Sequence, residues 1–287
     1  MRSVNKSLKE YIRGVAGGLL FSLPLLYTME VWRMGVVAHP WRLVIYMLAT
    51  FVLLLGYNFF GGLRRDANFA EVAIDSVEEM GLGLLLAVVA LWLLGRITFD
   101  ITPGEIAGIT IIEAMTVAIG VSVGTAQLGG EDDDDKGEGA NESNGRRDGD
   151  AQDTGEKTTF GGQMVIAACG AALFAANVAP TEEIVLIAAQ ISVWRILALA
   201  LLSLALGALI LYYSDFMGAH KFVHFDAHHD VLVGMAVTYA VALAVSASIL
   251  WFFGRFDGQP LIGCLAQTVV LGVAAMMGAA AGRLLLQ

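Results

Sequence analysis

The sequence predicts an all-α polytopic membrane protein, with eight transmembrane helices arranged as two parallel four-helix repeats. Three observations carry that expectation. Hydrophobic residues fill 57% of the 287 positions and charged residues only 15%, whereas a soluble domain carries about 25% charged residues. Apolar runs of about 20 residues, the length that crosses ~30 Å of hydrocarbon, recur along the chain, whose mean hydropathy is +0.69. Finally, Gly17–Glu30, GGLLFSLPLLYTME, returns 153 residues later as Gly170–Glu183, GAALFAANVAPTEE. Short alternating segments of the kind that build a β-barrel are missing.

The duplication rests on scarce residue types. Without a gap, Gly17, Leu20, Phe21, Thr28 and Glu30 fall on Gly170, Leu173, Phe174, Thr181 and Glu183, and Trp41–Arg42 on Trp194–Arg195. Matching leucines mean little between apolar runs, but a shared Thr-x-Glu and a shared Trp-Arg at one offset mark a repeat. Trp92, Gly95 and Arg96 resemble Trp251, Gly254 and Arg255 at an offset of 159. Residues 1–126 are therefore the first four-helix repeat, 127–158 a linker and 159–287 the second repeat.

The expected spans are 12–31, 41–61, 72–95, 104–126, 160–182, 190–213, 231–253 and 261–285. Arg2, Lys6, Lys9 and Arg13 precede the first, which runs on to Trp32 without a small-residue cleavage site and reads as a retained signal anchor. Pro24 predicts a kink in it, tolerable in lipid where neighbouring helices re-satisfy the backbone. Pro103 stands at the start of the fourth helix, where proline is favoured, and Pro260 just before the eighth. Between the repeats, residues 131–157 hold eleven acidic side chains against Lys136, Arg146, Arg147 and Lys157, supplying −7 of the net −10. That segment has too few apolar residues to bury and is expected to be disordered.

Positive charge sets the orientation. Arg2, Lys6, Lys9, Arg13, Arg64, Arg65, Lys136, Arg146, Arg147, Lys157, Lys221 and Arg283 fall on one side of an eight-span topology. Arg33, Arg42, Arg96, Arg195 and Arg255 fall on the other. Both termini are therefore expected in the cytoplasm of a cell-membrane protein. All five tryptophans then sit at the outer interface, which indoles prefer. Two repeats of four spans enter the bilayer in the same direction, so their pseudo-two-fold axis runs along the membrane normal.

Carboxylates in apolar runs are the first functional candidates, because ionisable groups in a membrane are costly. Glu30 and Glu183 are each expected near the outer end of their repeat's first helix. Facing one another across the pseudo-two-fold, they make a paired site for protons or cations, with Thr28 and Thr181 adding oxygens. The competing expectation is structural ion pairing with Arg42 and Arg195. Glu71, Asp75, Glu78 and Glu79 lie at i, i+4, i+7 and i+8 on one helical face. They form either an acidic vestibule or a solvated first turn that suits the positive end of the helix dipole. Glu113 sits inside GITIIEAMTVAIG, where no loop reaches it: it is either a proton relay or cation site, or a neutral carboxyl hydrogen-bonded to a neighbouring helix.

The run HKFVHFDAHHD, His220–Asp230, places His220, His224 and His228 on one face if helical, with Asp226 beside them. Such a composition can bind a transition metal, but the spacing matches no established zinc pattern. A solvated loop is the alternative. Cys169 and Cys264 lie in apolar runs as small core residues rather than as a disulfide pair. The acidic balance argues against nucleic acid as a partner. The sequence names no cofactor, and it leaves homo-oligomerisation open.

The block RGVAGGLLFSLPLLYTMEVWRMG, with Pro24, Thr28, Glu30 and Trp32, resembles a bacterial and archaeal family of integral membrane proteins with about eight spans and no established function. The resemblance implies a helix count and carries over no site residues. Three functions are compatible with these features. The leading expectation is a transporter or channel for a cation or protons, embedded in the lipid bilayer and using its intramembrane carboxylates. A sensor or partner-binding subunit is the second, and a membrane metalloenzyme built on the histidine run the third.

Overall fold

The computed structural model describes residues 4–61, 68–98, 100–127, 160–216 and 228–285. These form ten α-helices: α1 Val4–Leu26, α2 Met29–Val37, α3 Pro40–Gly61, α4 Phe69–Leu93, α5 Pro103–Gln127, α6 Phe160–Val178, α7 Glu182–Gln190, α8 Val193–Phe216, α9 His228–Phe252 and α10 Leu261–Leu285. Seven are long and apolar enough to cross a membrane, and α1 with α2, bent by 86°, makes an eighth if the pair is one span. The acidic linker, the charged stretch Arg64–Arg65–Asp66, and His220, His224 and Asp226 lie outside the described residues.

The first expected span is corrected: its apolar run is two helices. Pro24 has no N–H to give to the helix, and α1 ends two residues later. Thr28 adopts an extended conformation, its N–H bonded to Leu25 O (2.9 Å) and its hydroxyl to Pro24 O (2.6 Å). The chain then starts α2 in a new direction. The span expected at 160–182 also stops early, at Val178, where Ala179–Pro180–Thr181 intervene before α7. Glu30 and Glu183 therefore sit in the first turns of the short helices α2 and α7, not at the ends of spans.

Small residues set the packing. A side chain on Gly17 of α1 would overlap the Gly124 Cα of α5, and one on Gly170 of α6 would overlap the Gly278 carbonyl of α10. The two seams bring α1 onto α5 and α6 onto α10 backbone to backbone, as small residues permit in lipid. α5 is the most enclosed helix, 83% buried over its apolar window against 11% for α8. Along α5, all but one of residues 108–124 are buried, and they include Glu113.

α1 meets α6 through Asn177. Its Oδ1 accepts the Leu25 N–H (3.1 Å), and its Nδ2 donates to Phe21 O (3.0 Å) and Leu173 O (2.7 Å). The amide is thus spliced into the α1 ladder at the turn that Pro24 opens. At the same end of the bundle Arg42 pairs with Asp257 (3.0 Å) and lies over Trp41 and Trp251, 5.6 and 5.8 Å from their centroids. Arg195 is exposed on α8. Asp257 is 62% exposed, so Asp257→Ala should cost less than about 1 kcal/mol. Arg42→Ala, which also removes the two ring contacts, should cost more; thermal unfolding of both variants in detergent ranks them.

Candidate functional site

A file of buried polar side chains on α5, met by half-buried ones from α2, α3 and α4, is the chemically distinctive part of the molecule. On α5, Thr110, Glu113, Thr116, Ile119 and Ser122 recur every third residue, one inclined ridge on the helix surface. Four of the five are polar. The helix begins at Pro103, braced by Thr102 and Glu105: Thr102 N–H and Oγ1 both reach Glu105 Oε2 (2.8 and 2.9 Å), a capping box. Ten residues of rise place Glu113 about 15 Å inward, near the middle of a ~30 Å hydrocarbon layer.

Glu113 is fully buried, and neither of its carboxyl oxygens has a hydrogen-bond partner. The nearby indole N–H of Trp32, from α2, interacts with the carboxyl but closes no hydrogen bond of ordinary geometry, and Trp32 Nε1 is likewise unpartnered. So is the Thr110 hydroxyl one turn away. Buried polar groups are nearly always bonded, so a cluster of orphans around one carboxyl is what a binding or transfer site looks like. Arg96 covers the outer face of Trp32, 4.1 Å from the ring centroid. Gly35 of α2 packs directly on the backbone of Gly108 and Ile109, which clamps α2 over this end of α5.

One turn along the ridge, Thr116 Oγ1 meets the Tyr46 hydroxyl of α3 (3.3 Å), and Tyr46 is within electrostatic range of Glu113. At the far end of the file, Ser122 donates to Asn58 Oδ1 (2.9 Å), and Asn58 Nδ2 donates to Glu79 Oε2 (2.7 Å) and Ser76 Oγ (3.1 Å). The four acids of α4 therefore part company. Glu71 accepts the Asn68 N–H (3.3 Å) as a cap, Glu78 is exposed, and Asp75 and Glu79 are half-buried, Glu79 held by Asn58 of α3.

Glu30 and Glu183 are separate from this file. Together with Glu182 they lie in electrostatic range of Arg255, which donates to Pro180 O. Burial pulls the Arg255 guanidinium below its ordinary pKa, and the three carboxylates oppose that shift. Thr28 and Thr181 give their hydroxyls to the backbone, at Pro24 O and Val178 O (2.8 Å). Among the described residues Arg42 is paired with Asp257 and not with Glu30. His228 opens α9, and among the described residues no three histidine, cysteine or acidic side chains are grouped to hold a metal.

The sequence alone gives no site role to Trp32, Tyr46, Thr116, Asn58 or Ser122, and shows Asn177 only as added polarity in the second half. The three-residue spacing of polar groups on α5 was the available signal; the partners on α2 and α3 come only from packing.

Seven helices long and apolar enough to cross a membrane define an integral membrane protein with several spans. The chain belongs to the family described as "Putative integral membrane protein (DUF2391)", whose model matches residues 10–286. No curated protein and no solved structure matches it.

Proposed function

We propose that this protein moves a cation or protons across its membrane through the first-half helices α2–α5, with Glu113 and Glu79 as the carriers of charge. The observation that carries the reading is Glu113: a carboxyl at mid-depth with both oxygens unpartnered serves no structural bond, while its burial is expensive. Glu79, held by Asn58 toward the opposite end, supplies the second station. Glu30 and Glu183, which already share Arg255, brace the mouth of the bundle and are a poorer cation site, because a fixed guanidinium competes for them.

The reading includes two repeats. A shift of 153 carries α2 (29–37) onto α7 (182–190), a shift of 159 carries α4 (69–93) onto α9 (228–252), and a shift of 158 carries α5 (103–127) onto α10 (261–285). Gly95 and Gly254, both at φ 67°, close equivalent turns 159 residues apart, in a conformation that glycine adopts without strain. Pro24 and Asn177 are equivalent at 153 and adjacent in space, as residues beside a two-fold axis must be. The α2/α7 end, with its tryptophans, is then the outer face, and both termini are cytoplasmic.

Charge movement on a solid-supported membrane, with protons and a panel of mono- and divalent cations, tests the reading. Wild-type protein should give currents with at least one ion, and the Glu79→Gln/Glu113→Gln double variant none. Folded wild-type protein that is silent across the panel would point instead to a sensor or partner-binding subunit.

A further inference from the structure

We infer that the transported species is the proton, relayed along the polar ridge of α5, and that Ile119 is the gate. This rests on the transport reading above and narrows it. The discriminating feature is what faces the two carboxylates. A metal cation needs several oxygen ligands around it, six to eight for calcium. Glu113 is instead approached by an N–H, that of Trp32, and Glu79 accepts an N–H from Asn58. Donors aimed at a carboxylate repel a metal ion, but they leave a carboxyl free to take up and release a proton. The other charged or titratable groups around these two carboxyls are Arg96 behind Trp32, Tyr46 of α3 and Asp75 and Glu78 of α4. Tyr57 and Cys169 also lie in electrostatic range of Glu79.

The groups between the carboxyls suit the same chemistry. Hydroxyls both donate and accept; Thr116 and Tyr46 already touch, and Ser122 interacts directly with the Glu79 carboxyl, so the amide of Asn58, which cannot relay a proton, only holds the two in place. In a transfer, Glu113 first closes onto the Thr116–Tyr46 hydroxyl pair, which its oxygens do not touch at rest. Its O–H bond then breaks as the proton bonds to a hydroxyl oxygen, each hydroxyl passes its own proton onward, and the Glu79 carboxylate takes up the last one. Each hydroxyl ends as it began, and one positive charge has moved. From Thr116 to Ser122 the ridge rises about 9 Å, and its one member in that interval is Ile119, 5% exposed in the apolar core. That break is too long for direct hydroxyl-to-hydroxyl transfer, so the relay is closed there and conducts only when water or a side-chain shift bridges it.

Ile119→Thr completes the ridge with a hydroxyl, and Ile119→Val makes the same change of shape without one. Both are assayed in proteoliposomes carrying an internal pH dye, under a negative-inside potassium diffusion potential set by valinomycin. Wild-type vesicles should acidify, and Glu113→Gln should reduce the rate to that of protein-free lipid. Ile119→Thr should acidify about tenfold faster than Ile119→Val, the factor that ~1.4 kcal/mol off a transfer barrier gives. Sodium, potassium or calcium flux that Glu113→Gln abolishes would overturn the proton assignment and leave the transport reading standing. Equal rates for the threonine and valine variants would overturn the gate. Folded protein that moves no ion at all would remove the transport reading itself.

Discussion

Gly17→Val and Gly170→Val should each leave little or no folded protein. At both positions the new side chain meets backbone, the Gly124 Cα and Gly120 carbonyl in one seam and the Gly278 carbonyl and Gly282 Cα in the other. A neighbouring side chain can rotate away from an intruder, but a helix backbone cannot. The helices must separate along the whole seam and lose the close contact on which association in lipid depends. Overpacking a well-fitted core costs about 1–3 kcal/mol, and these sites lie above that range. Gly104→Ala and Gly161→Ala serve as controls, because a Cβ at either position meets nothing within 4 Å. Size-exclusion profiles and melting temperatures in detergent report the outcome. A Gly17→Val protein that melts with wild type would show that the α1–α5 seam does not hold the fold.

Asn177→Leu should be the most destabilising substitution at a polar residue. It removes the acceptor of the Leu25 N–H and the donor to Phe21 O and Leu173 O. In a hydrocarbon surround no water replaces them, and each buried group left without a partner costs about 1–3 kcal/mol. The α1 ladder can recover part of this by closing Leu25 N–H onto Phe21 O, but Pro24 still withholds its own donor. Pro24→Ala should therefore rescue Asn177→Leu more than it stabilises wild type, a coupling of about 1 kcal/mol or more in a double-mutant cycle. Additive effects of the two substitutions would mean that the amide does not serve the opened turn.

The membrane class and most of the spans were legible because hydropathy and length dictate them. Pro103 and Pro260 marked the starts of α5 and α10 to within a residue. Pro24 announced the bend after Leu26 but not that a separate helix begins there, and the break after Val178 was not legible, since MEVWRMGVV and EEIVLIAAQ continue the apolar runs and nothing in their composition announces a change of direction. Glu113 stood out as a lone carboxyl in an apolar run. From the sequence Trp32 is an interfacial indole, and only the fold of α2 back onto α5 at Gly35 and Gly108 brings its N–H to Glu113. The four acids opening α4 show the reverse limit: helical spacing put them on one face, yet capping claims Glu71 and packing against α3 claims Glu79.

That Glu113 carries charge through the first half of the molecule is read most directly from the initial rate of proton uptake into vesicles holding equal amounts of folded wild-type and Glu113→Gln protein, under the same imposed potential. Uptake should exceed the lipid leak for the wild type and fall to the bare leak for the variant, with unchanged melting temperatures. A Glu113→Gln protein that takes up protons as fast as the wild type would contradict that role.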